Sequence, residues 1–171
     1  MKSLLLSAIA ATSILFASAQ DDKSKRPSPP AEAKETLANG TVITINYSQP
    51  SVKGRTIGKD IEPMEGKVWR TGANEATVFE VSKDVKIEGK TLPAGKYGFF
   101  TIVNGDEWTI IFNKTPEQWG AYKYNDADDA LRIKEKGDKA EQFAEKLTFT
   151  IGKDGKITLL WGDKKVDFNV S

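Results

Sequence analysis

Apolar and polar residues alternate with a period of two along most of the chain from Thr41 to Val170. That period matches a β-strand, whose successive side chains point to opposite faces. It does not match a helix, whose apolar residues recur every three to four positions. In TVITINYS (41–48) the alternation puts Ile43, Ile45 and Tyr47 on one face. In ATVFEVS (76–82) it selects Phe79 and Val81, and in EWTIIFN (107–113) Trp108, Ile110 and Phe112. Asn39-Gly40 and NGD (104–106) supply hairpin turn chemistry before two of these runs. DVKIEGKTLPAGKYGFFTIV (84–103) reads as a short strand, a Gly- and Pro-rich turn and a longer strand, and LRIKE (131–135) as a short strand. KLTFTI (146–151), GKDG (152–155), KITLLW (156–161), GD (162–163) and KKVDFNV (164–170) read as a closing meander of strands and turns. Strands at this spacing predict an all-β fold, either an antiparallel β-sandwich (jelly-roll-like) or a flattened barrel. The one helix expected is short: DKAEQFAEK (138–146), with Asp138 as its N-cap.

Ahead of the strands, Met1-Lys2-Ser3, an apolar run from Leu4 to Ala17 and the small residues Ala17-Ser18-Ala19 have the layout of a cleavable secretory signal. Cleavage is expected after Ala19, and the run is too short for a spanning helix. No cysteine follows it to take a lipid. The chain then divides into a signal peptide (1–19), a flexible Pro-rich leader (20–35, ordered from Ala33 or later) and one all-β domain (36–171). The mature chain of roughly 150 residues is long enough to bury a real core. The expected location is periplasmic or secreted.

Composition removes many functions. The chain has no histidine and no cysteine. Ser-His-Asp and Cys-His catalysis are therefore impossible, and the usual ligands of zinc, copper and haem are missing. Disulfides are impossible too. Signal removal takes away Lys2 and no acid, which brings the 25 basic and 24 acidic side chains into balance. A neutral chain does not track phosphate backbones or anionic membranes, so neither nucleic acid nor a membrane is an expected partner. No cofactor or metal is expected. DADD (126–129) lacks the D-x-[DN]-x-[DN]-G calcium loop and its distal glutamate.

What remains is concentrated in two irregular segments, 49–75 and 114–130, long enough to suggest a function of their own. Of the 25 basic residues four are arginines: Arg26, Arg55, Arg70 and Arg132. Arg26 belongs to the leader; the others fall in or beside the irregular segments. Arginine presents a planar fork for two-point contact with a carboxylate or phosphate, which lysine cannot copy. Each of the three is either a loop clamp or a ligand contact, with Asp129 as an internal partner open to Arg132, Arg70 or Arg55. In WRTGANEAT (69–77), Gly72 answers to a positive φ or a close backbone approach, and Asn74 tolerates left-handed geometry. Glu75 is the one carboxylate there. Trp119, Tyr122 and Tyr124 in EQWGAYKY (117–124) combine stacking area with polar handles, or cover one end of a sandwich.

Taken in order, YSQPSVKGRTIG (47–58), VWRTGANEAT (68–77), LPAGKYGFFTI (92–102), EWTIIFNK (107–114), QWGAYKY (118–124) and DALRI (129–133) resemble a bacterial secreted family, domain of unknown function 2911. The resemblance covers nearly the whole mature chain. It implies an exported bacterial protein and no established activity, so it transfers no catalytic residue. Gly54, Arg55, Trp69, Arg70, Gly72, Asn74, Glu75, Thr77, Trp119, Gly120, Asp129 and Arg132 occupy its motif positions. Gln49, where arginine is the more usual residue, and GKDIEP (58–63) depart from the pattern.

These observations leave different kinds of function open. A non-catalytic module binding a small molecule or glycan would use Arg55, Arg70, Asn74, Glu75, Trp119, Tyr122, Asp129 and Arg132. A carboxylate-dependent hydrolase would set Glu75 against Asp129 or Glu117 at roughly 5–10 Å. An envelope scaffold or assembly protein would have no small-molecule site and would expose an apolar edge or patch. Oligomeric state is not legible in the sequence.

Overall fold

A computed structural model describes residues 22–171. The expected signal segment and the first residues of the leader lie outside the described residues. The strands are β1 (Pro30–Thr36), β2 (Val42–Ser48), β3 (Thr77–Val81), β4 (Val85–Ile87), β5 (Lys90–Leu92), β6 (Gly95–Asn104), β7 (Glu107–Asn113), β8 (Asp129–Lys136), β9 (Asp138–Ile151) and β10 (Lys156–Asn169). Six form one antiparallel sheet in the order β1-β2-β3-β6-β7-β8; β9 pairs with β10, and β4 with β5. The large sheet is a meander with one excursion, the β4–β5 hairpin. The sheets stay open, so the sandwich is adopted and the barrel is not. Among the described residues no helix is long and apolar enough to cross a membrane.

Alternation in the sequence becomes burial as expected. Ile43, Ile45, Phe79, Val81, Trp108, Ile110 and Phe112 are all buried in one core. The long β9–β10 ribbon packs across that face. Phe99 of β6 lies 5.7 Å from the ring of Phe149 and 6.0 Å from that of Phe168. Edge-to-face contacts such as Phe79–Phe112, at 4.9 Å, fill the middle. Truncating such a buried ring to alanine costs about 3–5 kcal/mol, so this cluster dominates the core.

β6 and β7 are buried on both faces, which simple alternation does not explain. The irregular segments are the reason. Phe100 and Ile111 point away from the main core and are covered by Val68, Ala121 and Tyr124. β3 pairs with β6 only as far as Phe99. Beyond it, the segment 62–75 takes over the free edge of β6: Trp69 exchanges backbone hydrogen bonds of 2.8 and 2.9 Å with Thr101, and Gly66 N–H donates to Val103.

Several sequence expectations need correction. Residues 138–146 form the first half of β9 rather than a helix. Helix propensity is a weak prior, and here β10 offers a ladder of partners: Ala144 opposite Gly162, Lys139 opposite Lys164. Gly162-Asp163 is not a turn. β10 runs through it, and Gly162, at φ 62°, sits at a bulge where the register shifts. The Gly- and Pro-rich stretch after β4 holds an extra strand, β5, because Glu88-Gly89 makes a two-residue turn with both φ positive. The leader becomes ordered earlier than Ala33: β1 begins at Pro30, at the first position of an edge strand, where a missing N–H is tolerated. A 3-10 turn, Lys23–Lys25, precedes it, capped by the Asp22 carboxylate.

Candidate functional site

WRTGANEAT is a sharp corner between the edge of β6 and the start of β3. The Trp69 indole is buried and donates to Gly72 O at 3.1 Å. Thr71 and Asn74 both have left-handed backbones, at φ 52° and 55°. For Asn74 that was expected. For Thr71, β-branched and fully buried, it is a strained conformation costing about 1–2 kcal/mol. Hydroxyl groups hold it there. Thr71 Oγ1 bonds Trp69 O at 3.2 Å and lies 3.0 Å from Thr101 Oγ1, while Thr77 Oγ1 donates to Thr71 O at 2.9 Å. Gly72 serves close approach rather than positive φ. A Cβ there would lie 2.8 Å from Thr77 Oγ1 and 3.2 Å from Ser48 O.

The corner ties the irregular segments together. Gly120 N–H donates to Asn74 O at 2.9 Å, Ala76 N–H donates to Gln118 O at 2.9 Å, and Glu75 forms a bridge with Trp119. Asn74 Nδ2 also donates to Ser28 O at 3.0 Å, which fastens the leader on top. Glu75 completes that fastening. Its carboxylate accepts from Arg26 Nη1 at 3.0 and 3.1 Å and lies 2.9 Å from Lys23 Nζ. Partial burial alone would raise its pKa. Hydrogen bonds from Lys23, its own N–H and Arg26, with the Lys23 charge, outweigh burial and hold the carboxyl at about 2. A group so acidic does not serve as a general acid at neutral pH. Arg26 also lies over the Trp119 ring, 5.9 Å from its centroid. The leader arginine that the sequence analysis set aside is thus part of this corner.

Asp129 and Arg132 form a separate clamp. In a regular strand residues three apart face opposite sides. A bulge between Phe112 and Asn113 in the β7–β8 register adds one residue and brings the two side chains together. Asp129 Oδ2 accepts from Arg132 Nε and from the Tyr124 hydroxyl at 2.8 Å, and Oδ1 from Asn113 Nδ2 at 2.8 Å. Arg132 Nη2 donates to the Tyr124 oxygen at 2.7 Å. Burial first, and then the Asp129 hydrogen bond and charge, push the Tyr124 hydroxyl up to about 12. Both Asp129 oxygens are occupied, so the Arg132 group acts as a buckle for segment 114–130. Tyr122 is 84% exposed and takes no part in it.

Arg70 and Arg55 meet at a cleft of about 340 Å³, which Ser28, Asp60, Glu62 and Trp161 also line. Arg55 is held in place by its neighbours, Nε donating to Val52 O at 3.0 Å and Nη2 to Ser51 O at 2.6 Å. Arg70 is different. Its Nε is buried without a hydrogen-bond partner, and among the described residues it has no ion pair. Gly120 lies beside it: a Cβ there would be in ordinary contact with Arg70 Nη1, at 3.6 Å.

The expected site residues therefore do not form one site. Arg55 and Arg70 share the cleft. Asn74, Glu75 and Trp119 hold the leader, Asp129 and Arg132 buckle a loop, and Tyr122 stands apart. Missed altogether were Asp60 and Glu62, which sit in the GKDIEP stretch, and Trp161, which reads in sequence as an ordinary strand residue.

The profile of a family described as "Protein of unknown function (DUF2911)" matches residues 28–170. The chain belongs to this family. No curated protein matches the chain, and no solved structure does. For this DUF2911 member, the match begins at Ser28, which both lines the cleft and accepts from Asn74, so the cleft and WRTGANEAT lie inside the family region, while Lys23 and Arg26, which engage Glu75, precede it.

Proposed function

We propose that the protein is an exported, non-catalytic binding module that holds a small ligand through an anionic group in the Arg55–Arg70 cleft. The observation that carries the reading is Arg70. Its Nε–H is buried without a partner, at a cost of about 1–3 kcal/mol, and no acid among the described residues pairs with it, so a carboxylate or phosphate on the part of the guanidinium that lines the cleft would supply the missing counter-charge. The cleft lies at the small end of the usual ~300–1,000 Å³ range of ligand pockets. Export is supported by the basic, apolar and small-residue layout of residues 1–19. Hydrolysis is disfavoured because Glu75 is ionised and engaged by Lys23 and Arg26. A long glycan is disfavoured because Arg26 already covers a face of Trp119.

The test is a thermal-shift screen followed by calorimetry on wild type and Arg70→Met, with short carboxylates, inorganic phosphate and neutral sugars. A ligand at about 100 times its Kd adds roughly 2.7 kcal/mol, or roughly 5–11 °C in Tm for a domain of this size. Anions are expected to stabilise wild type and not the variant. Equal shifts in both proteins, or a response to neutral sugars alone, would sink the proposal.

A further inference from the structure

The cleft holds charge of both signs, and none of it is paired. Asp60 and Glu62 line it with Arg55 and Arg70, yet none of the four makes an ion pair among the described residues. Three of them are instead set in place by backbone contacts, Arg55 by Val52 O and Ser51 O as above, and the Arg70 guanidinium is the one left without any. Asp60 Oδ2 accepts from Thr56 N–H at 2.8 Å, and Asp60 N–H returns to Thr56 O at 2.8 Å, closing a tight loop. Glu62 Oε2 accepts from Met64 N–H at 2.6 Å. Asp60 Oδ1 and Glu62 Oε1 accept no hydrogen bond from the described residues. The backbone thus fixes two carboxylates beside two guanidinium groups and keeps the opposite charges apart.

A purely anionic ligand gains from Arg55 and Arg70 but is opposed by Asp60 and Glu62, so it binds more weakly than a ligand that answers both signs. A ligand carrying both signs meets only complementary ones. Between the charged groups the lining is apolar: Ile61, Met64 and the walls made by Trp69 and Trp161. The volume accommodates one or two amino-acid residues. Resting on the ligand-site reading above, we infer that the ligand is an α-amino acid or short peptide bound as a zwitterion. Its carboxylate lies on Arg70, its ammonium on Asp60 and Glu62, and an apolar side chain lies against Ile61 and Met64. This assigns the acidic pair a role in selectivity.

Calorimetry on the wild-type protein with matched probes tests it: L-leucine and L-leucyl-L-leucine, their N-acetylated forms, their C-terminal amides, and O-phosphoethanolamine. At least one free zwitterion is expected to bind ten-fold or more tighter than both its N-acetylated and its amidated form. The double variant Asp60→Asn, Glu62→Gln is expected to erase the ten-fold preference over the N-acetylated form, and Asp60→Asn alone to reduce it. If the N-acetylated forms bind as tightly as the free ones and still require Arg70, the inference is overturned while the anion-binding cleft stands. If no probe distinguishes wild type from Arg70→Met, both fall. Equal affinity for O-phosphoethanolamine, which has both charges but no side chain, overturns the amino-acid assignment. Comparing leucine with its dipeptide decides between a single residue and a peptide.

Discussion

Asp129→Asn isolates the buckle on segment 114–130. Asp129 presents two acceptor oxygens, one to Asn113 and one to Tyr124 and Arg132. An asparagine of the same shape presents one acceptor and one donor. If its oxygen stays with Tyr124 and Arg132, its NH2 faces the Asn113 NH2, donor to donor. Asn113 is completely buried, and its Oδ1 is already committed to Thr115 N–H at 2.9 Å, so it cannot turn over without losing that bond. Orphaning a buried amide costs about 1–3 kcal/mol. The Arg132 side chain is 42% exposed, so discharging that pair adds no more than about 1 kcal/mol after solvent screening. The expected loss is about 1–4 kcal/mol, or roughly 2–16 °C in Tm for a domain of this size. Urea melts measure it, with an unchanged m-value showing that the folded state is otherwise intact. A double-mutant cycle with Tyr124→Phe should show a coupling of about 0.5–3 kcal/mol, because the two residues share one network. If Asp129→Asn stays within about 0.5 kcal/mol of wild type and shows no coupling, the buckle reasoning is wrong. Asp129 then returns to being a ligand contact.

Other perturbations probe the corner and the titrating groups. The Glu75 carboxyl, at about 2 against an ordinary 4.5, stabilises the fold above pH 4.5 and loses that contribution as pH falls towards 2. Wild-type Tm should therefore drop more than that of Glu75→Gln between neutral pH and pH 3, with the difference shrinking in high salt because the pair is partly exposed. The same variant should be cleaved faster by trypsin at Lys23 and Lys25, since Glu75 fastens that segment. Tyr124, raised to about 12 from 10, contributes stability below pH 10 that disappears as pH rises through about 12. An ultraviolet titration should lose its highest phase in Tyr124→Phe. Gly72→Ala meets Thr77 Oγ1 and Ser48 O without any φ penalty, so it should cost about 1–3 kcal/mol by crowding alone; a neutral effect in urea melts would refute the close-approach argument.

The strands with one fully buried face were legible because burial imposes the period of two on them. β2 and β3 are the clear cases. The first half of β9 was not legible. Of residues 138–146 only Ala140 is buried, so packing writes almost no pattern there, and composition alone favours helix. Its strand form depends on β10 continuing past Gly162, a contact outside its own stretch. Pro30 failed for a related reason. A Pro-rich run looks like a leader until an edge strand beside β2 takes it in. The Asp129–Arg132 pairing was hidden by the β7–β8 bulge, since regular strand geometry would have separated the two side chains.

The arginines mark the limit of what sequence alone encodes legibly. Rarity identified them, but what each contacts is a property of the packed fold. Arg132 found an acid three residues away. Arg26 found Glu75 across 49 residues, and Arg55 found backbone carbonyls within its own loop. Arg70 is the exception, and not for lack of candidates. Two carboxylates line the same cleft, yet each is held by a backbone contact and neither pairs with it. Local pairing would relieve the buried Nε at once. On the proposed reading, a fold that anchors both acids elsewhere and strains Thr71 beside the arginine leaves Arg70, with its buried Nε, unpaired for a carboxylate in the cleft.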